Sequence, residues 1–305
     1  MIQIILSYLT IYVVWSTTAF IIKTAVQGIP AFYLFGMRFL IGGAILLLIA
    51  VVTRKKRQMP SISQFAGSLF IGLLLLIGGN GLITFALQKL DSYVTALVIS
   101  TIPICVLVFD RLILKTHITL HAIIGVSMGI SGVLILILNS GRGNVSIHPY
   151  IFIVVVAVII WALGMSLGKK IPMSQDTIIN SGIQQFSMGL ISLIMIQPFQ
   201  PVGSVAWGDV TNNQWMALIY LTVFGTIAIT CFLYLLRIEP NERVVTYNFI
   251  TPLGSAFIGI VIGGEAIIPG LVPSAFLILA GLAVTFYGEK IFNKTRFFNR
   301  NPNNR

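Results

Sequence analysis

The chain has 305 residues, 57% of them apolar and only 9% charged, with a mean hydropathy of +0.98. A soluble domain carries charge on about a quarter of its residues, so a soluble globule is excluded. Disordered and disulfide-scaffold chains are excluded as well, because the two cysteines, Cys105 and Cys231, both fall inside apolar runs.

The 19 basic and 8 acidic residues cluster, leaving stretches of about 20 residues almost free of charge, the length of a membrane-spanning helix. In chain order these stretches predict helices at 4–26, 30–52, 63–87, 92–113 and 119–138. Five more are predicted at 149–168, 176–197, 214–236, 242–263 and 268–288, with Gly, Pro, Asn or charge at the junctions. The expected architecture is all-α, an integral membrane protein of ten transmembrane helices. Met1 to Leu6 carries no basic segment and no small-residue cleavage site follows, so the first helix is expected to be retained. The longest loop, Gln197 to Asn213, leaves no room for a soluble catalytic or sensing domain.

Lysine and arginine set the expected orientation. An even helix count puts both termini and the even-numbered loops on one side. That side receives Arg54, Lys55, Lys56, Arg57, Arg111, Lys115, Lys169, Lys170, Arg237 and Arg243, together with Lys290, Lys294, Arg296, Arg300 and Arg305 in the tail. The other side receives Lys23, Lys89 and Arg142. Both termini are therefore expected in the cytoplasm, and the chain in a cell membrane, the inner membrane of a bacterium. The net charge of +11 is thereby accounted for by topology rather than by nucleic acid. Phe297 and Phe298, among the basic residues of the tail, fit lipid headgroups better than a nucleic-acid groove.

The chain repeats itself. A shift of 146 residues carries Trp15 onto Trp161, Lys23 onto Lys169 and Gly79 onto Gly225; at a shift of 149, Pro103 falls on Pro252 and Gly132 on Gly281. Two five-helix units, 1–140 and 147–288, followed by a basic tail at 289–305, are the simplest account. Because five is odd, the second unit enters the membrane from the opposite face, giving inverted repeats of the kind on which many transporters are built.

The run Trp15-Ser16-Thr17-Thr18-Ala19-Phe20, then Gly28-Ile29-Pro30 and Met37-Arg38-Phe39-Leu40, resembles the first repeat of the drug/metabolite transporter superfamily, with its two EamA-type repeats. Pro252-Leu253, Gly263-Gly264-Glu265 and Gly281 are similar to that family's closing helices, whereas Thr116-His117 stands where the first repeat would carry its own Gly-Glu. The resemblance spans residues 5–288. It implies transport of small molecules, with amino acids, other metabolites, nucleotide-linked sugars and lipophilic cations all within the family's range.

Candidate site residues follow from polarity inside apolar runs. Asn80, Thr84 and Gln88 stand four apart in helix 3, and Thr226, Thr230 and Tyr234 do the same in helix 8, at matching repeat positions. Polar stripes avoid lipid, so both are expected to face the interior, either lining a cavity or hydrogen-bonding between helices. Thr246, Tyr247, Asn248 and Thr251 precede Pro252, as Thr95, Ser100 and Thr101 precede Pro103. Each proline removes a backbone donor and frees a carbonyl, making either a hinge at a binding site or a kink satisfied by nearby hydroxyls. Trp15 and Trp161 sit mid-helix, away from the interfacial belt, and are read as lining, with tight helix packing as the alternative and Tyr12 and Tyr234 extending an aromatic wall. The remaining Phe residues are expected to face lipid. Arg38 lies about 8 residues, ~12 Å, from the end of helix 2. It is read as structural, pairing with helix carbonyls or reaching the interface, with attraction of a substrate carboxylate as the alternative. Gly125, Gly129 and Gly132, and the pair Gly259 and Gly263, offer thin faces for close helix packing.

No catalytic motif is present, His117 and His121 lack a third ligand, and no acidic residue sits mid-span. An enzyme, a metal centre, a cofactor and a carboxylate proton relay are therefore not expected. The expected partners are a small-molecule substrate and the lipid bilayer, and two copies could pair as a homodimer. The expected function is export or facilitated exchange of a small organic metabolite by alternating access. Amino acids are preferred because amides, hydroxyls and rings converge, while nucleotide sugars would need more basic residues than Arg38. A channel or a structural membrane protein is the rival of a different class.

Overall fold

The computed structural model describes residues 1–53, 59–90, 95, 98–138, 149–261 and 270–298, and among these the regular structure is helical, without strands. Helix α1 runs Ile2–Ala25 and α2 Ala31–Thr53. Helix α3, Ile62–Ala86, opens on a capping box in which Ser61 and Gln64 each accept the other's backbone N–H, and it widens to π-helical geometry over Leu73–Gly81. Helix α4 covers Ile102–Phe109 and continues as a π-helical turn, Asp110–Leu114, which Lys115 ends in the left-handed region at φ 57°. Helices α5, Leu120–Leu138, α6, Tyr150–Leu167, α7, Thr177–Ile196, and α8, Asn212–Ile238, follow. After a single turn, Asn241–Val244, come α9, Tyr247–Val261, with Pro252 inside it, and α10, Leu271–Phe298.

Seven of these helices are long and apolar enough to cross a membrane: α1, α2, α3, α6, α7, α8 and the Leu271–Gly288 part of α10; Leu120–Ile135 is a shorter apolar helix. The helices that carry Pro103 and Pro252, α4 and α9, are shorter still among the described residues.

Burial runs opposite to a soluble protein. Ile5, Leu9, Val13 and Phe20 on α1, or Ile41, Ile45, Leu48 and Val52 on α2, are exposed, as a lipid-facing surface requires. Ser68, Asn180, Ser181, Gln184, Gln185 and Thr226 are buried. Glycines set the closest crossings. On α2, a methyl at Gly43 would strike the backbone of Phe186 on α7, and one at Gly189 on α7 would strike the backbone of Leu40. On α5, Gly125 and Gly132 meet Gly281, Thr285, Ser274 and Ile278 of α10, and Gly129 lies under the Phe249 ring. These are packing contacts, as small residues at membrane helix crossings allow. Gly263 lies outside the described residues, as do the surroundings of Gly259.

The expectation that phenylalanines mostly face lipid fails for Phe35, Phe39, Phe232 and Phe249, which are buried. Aromatic rings serve the core of a bundle as well as its lipid face, and composition does not separate the two uses.

Candidate functional site

Four rings from four helices meet at the centre of the largest buried cluster. Trp15 of α1 stands edge-on to Tyr247 of α9 with ring centroids 4.3 Å apart, and lies 5.4 Å from Phe232 of α8 and 6.2 Å from Trp161 of α6. Trp161 and Phe232 are 5.3 Å apart. The Trp161 indole N–H is buried and points toward the Tyr247 hydroxyl without reaching normal hydrogen-bond geometry.

The π-helical segment of α3 joins this cluster to a polar one. Gly79 packs directly against the Trp161 indole, and the next residue, Asn80, turns its side-chain oxygen to Arg38 of α2, which donates to it through Nη2. Thr84 donates to the Asn80 backbone carbonyl at 2.8 Å. Arg38 is 2% exposed, its Nε has no partner, and its guanidinium lies 4.5 Å from the centroid of Phe39 and 5.9 Å from that of Phe35. The structure thus differs from the expected partner of Arg38: the guanidinium donates to a side-chain amide rather than to a helix carbonyl, and it is buried within the bundle. Flanking rings hold it inside, where cation–π attraction partly replaces hydration.

One turn further along α2, Gly42 receives Thr226 of α8, whose hydroxyl is buried without a hydrogen-bond partner. Asn80 and Thr226, matched in sequence, thus reach the same face of α2 at Arg38 and Gly42. Thr230 donates to the Thr226 carbonyl at 2.8 Å and pairs with Ser181 of α7 at 2.8 Å; Gln185 donates to Ser181, also at 2.8 Å. Gln184 donates to Asn180, which accepts from Ser68 of α3 at 2.7 Å. The carbonyl oxygens of Gln184 and Gln185 are buried and unpartnered.

The α7 residues Asn180, Ser181, Gln184 and Gln185 did not stand out in the sequence reading, although their spacing of one, four and five in an apolar run marks one helix face. Gln88 is exposed, whereas Tyr234, half-buried, packs against the same apolar cluster and reaches Gln3 at 3.4 Å.

At the prolines, Thr101 precedes α4 and donates to the Val98 carbonyl at 2.6 Å, and the chain re-enters helix at Ile102 with Pro103 in the first turn. Asn248 is buried, donates to the Val245 carbonyl at 2.9 Å, and leaves its own side-chain oxygen unpartnered; Thr251 takes the Tyr247 carbonyl at 2.8 Å. Tyr12 pairs with Thr246 at 2.8 Å beneath the rings.

Below this level Asp110 accepts from Ser166 at 2.6 Å and from Asn241 at 2.9 Å, which ties α4, α6 and the turn before α9 together. Lys169, just past α6, donates to the Glu239 carbonyl at 2.6 Å; burial pushes its ammonium below the usual lysine range, with Asp110 and Glu239 opposing. Among the described residues no group of three or more His, Cys, Asp or Glu stands where it could hold a metal.

The EamA-like transporter family model matches residues 2–138 and again 148–287. The Escherichia coli (strain K12) protein named uncharacterized inner membrane transporter YedA is 30% identical over 261 residues, covering 84% of this chain and 82% of its own. The uncharacterized transporter YoaV of Bacillus subtilis (strain 168) is 24% identical over 301 residues, 95% of this chain and 100% of its own. The S-adenosylmethionine/S-adenosylhomocysteine transporter of Chlamydia trachomatis serovar L2 is 22% identical over 294 residues, 90% and 86%. A solved crystal structure superposes with a TM-score of 0.74 at 19% identity, covering 92% of this chain and 94% of that one, and shares the fold. With two matches to one family model spanning nearly its whole length, the chain belongs to the EamA-like transporter family of the drug/metabolite transporter superfamily, and is a multi-pass membrane transporter rather than an enzyme.

Proposed function

We propose that this transporter moves a small organic metabolite, with amino acids and related compounds preferred, by alternating access between two inverted five-helix repeats. The ring cluster and the polar atoms beside it form the site. Ten spans with both termini in the cytoplasm of a bacterium complete the reading.

The observation that carries it is a difference between two sequence-matched contacts. Trp161 lies on Gly79 so closely that a methyl there would overlap the ring, whereas nothing comes within 4 Å of a methyl at Gly225, the position matched to Gly79. Trp161 is buried and Trp15, its counterpart, is half-buried. Two repeats related by symmetry in sequence but unequal in packing are what a protein open to one side at a time requires. The helix pairings support the same repeat: α1 packs on α8 and α9 as α6 packs on α3 and α4, and α2 meets α8 as α7 meets α3.

Stacked rings next to amides and hydroxyls suit a molecule with one flat or apolar part and one polar end. Both compounds in the Chlamydia relative's name have both, and the sulfonium of S-adenosylmethionine would be attracted to ring faces. Cationic heteroaromatic metabolites are therefore a second reading, favoured by the four rings. Uptake into liposomes containing the purified protein, with a panel of labelled amino acids, nucleosides and organic cations, tests both. Saturable uptake of amino acids is expected, and protein that retains its helical content yet moves no member of the panel would refute transport of these classes.

A further inference from the structure

We infer that Arg38 is the anchor for an anionic group of the substrate, a carboxylate, and so sets the substrate class of the site proposed above, on which this inference rests. Among the described residues Arg38 has no acidic partner. Arg243 pairs with Glu239, and Glu242 lies 3.9 Å from the His121 ring. Asp110 is engaged by Ser166 and Asn241, and Asp176 caps α7. Among the described residues the guanidinium donates to the neutral oxygen of Asn80, and Nε is buried without a partner.

A guanidinium offers five N–H donors and stays charged under all ordinary conditions. Inside a bundle it is expensive unless an anion or a water-filled cavity compensates it. Phe39 and Phe35 lie within cation–π range, which rings satisfy without competing for the N–H groups at the guanidinium edge. The free Nε and its neighbouring nitrogens match a carboxylate bidentately, whereas a neutral or cationic group at the same place would leave the charge uncompensated.

Position adds to chemistry. Asn80 holds the guanidinium while Gly79, its chain neighbour, backs the Trp161 ring. A ligand with its carboxylate on Arg38 has the rings of Phe39 and Phe35 beside it, and the buried, unpaired hydroxyl of Thr226 lies one α2 turn away at Gly42. Small carboxylates with an apolar or aromatic body are the class that uses all three.

The test compares wild-type protein in liposomes on sets of one labelled amino acid with its amide, its methyl ester and its N-acetyl derivative. Masking the carboxylate should lower counterflow about tenfold or more, the weight of a hydrogen bond to a charged group, while N-acetylation, which keeps the carboxylate, should preserve competition. Arg38→Met should abolish the preference, and Arg38→Lys should weaken it. Thermal melting separates a structural role: Arg38→Met, by removing an uncompensated charge, should melt at or above the wild-type temperature. Equal transport of free and masked forms by the wild type would overturn the anchor alone. A marked fall in melting temperature for Arg38→Met, with the carboxylate preference undiminished in Arg38→Lys, would do the same. Transport of neither form would overturn the amino-acid reading and the anchor with it.

Discussion

The indole of Trp161 rests on the α-carbon of Gly79, with no space between them for a methyl group. Gly79→Ala should therefore destabilise the protein by about 1–3 kcal/mol, the usual cost of overpacking. Gly225→Ala, with nothing within 4 Å, should fall within about 0.5 kcal/mol of wild type. Thermal melting of the two variants in one detergent makes the comparison.

Gly42 and Thr226 make a second contact of this kind. A methyl at Gly42 would overlap the Thr226 hydroxyl and lie 3.1 Å from its Cβ. Gly42→Ala should destabilise, and Thr226→Ala should partly rescue it, because the hydroxyl is the nearest obstacle. A double-mutant cycle should give a coupling of about 0.5–3 kcal/mol; additive effects would mean the two residues do not touch.

Thr226→Val and Asn80→Leu separate transport from folding. The Thr226 hydroxyl has no hydrogen-bond partner, so its loss should leave stability unchanged while lowering flux or altering substrate preference. Asn80→Leu removes a hydrogen bond of Arg38 and should cost more, about 1.5–3 kcal/mol, the range for bonds to charged groups. Melting curves and liposome flux for both variants check this. Wild-type flux in both would reduce the stripe to helix packing.

Much of this arrangement is legible in the sequence, because charge-free runs and an internal offset survive without knowledge of contacts. Trp15 and Trp161 emerge from that offset and from their depth in apolar runs, Tyr247 from its place before Pro252, and the three come together. Residues four apart are less reliable guides. Each step of four advances 400°, overshooting a full turn by about 40°, and the far member of the α3 stripe, Gln88, ends exposed. Phe232 was hidden because a phenylalanine suits lipid and core equally. The partner of Arg38 was hidden for another reason: π-helical geometry over Leu73–Gly81 shifts the register that α-helical counting assumes, and it directs Asn80 to α2 while Gly79 meets α6.

Orientation has its own check. In a background lacking Cys105 and Cys231, Ser204→Cys, exposed in the loop between α7 and α8, should react with a membrane-impermeant thiol reagent in intact cells. Ser61→Cys, exposed at the start of α3, should react only after lysis. The reverse pattern would place the termini outside.

The central claim is alternating access at one site, and counterflow tests it most directly. Liposomes preloaded with an unlabelled amino acid that the transporter accepts should take up the labelled form faster than empty ones, with a rate that saturates, because a loaded site returns each time it crosses. Uptake that is indifferent to preloading and rises linearly with concentration would contradict the account and describe a pore.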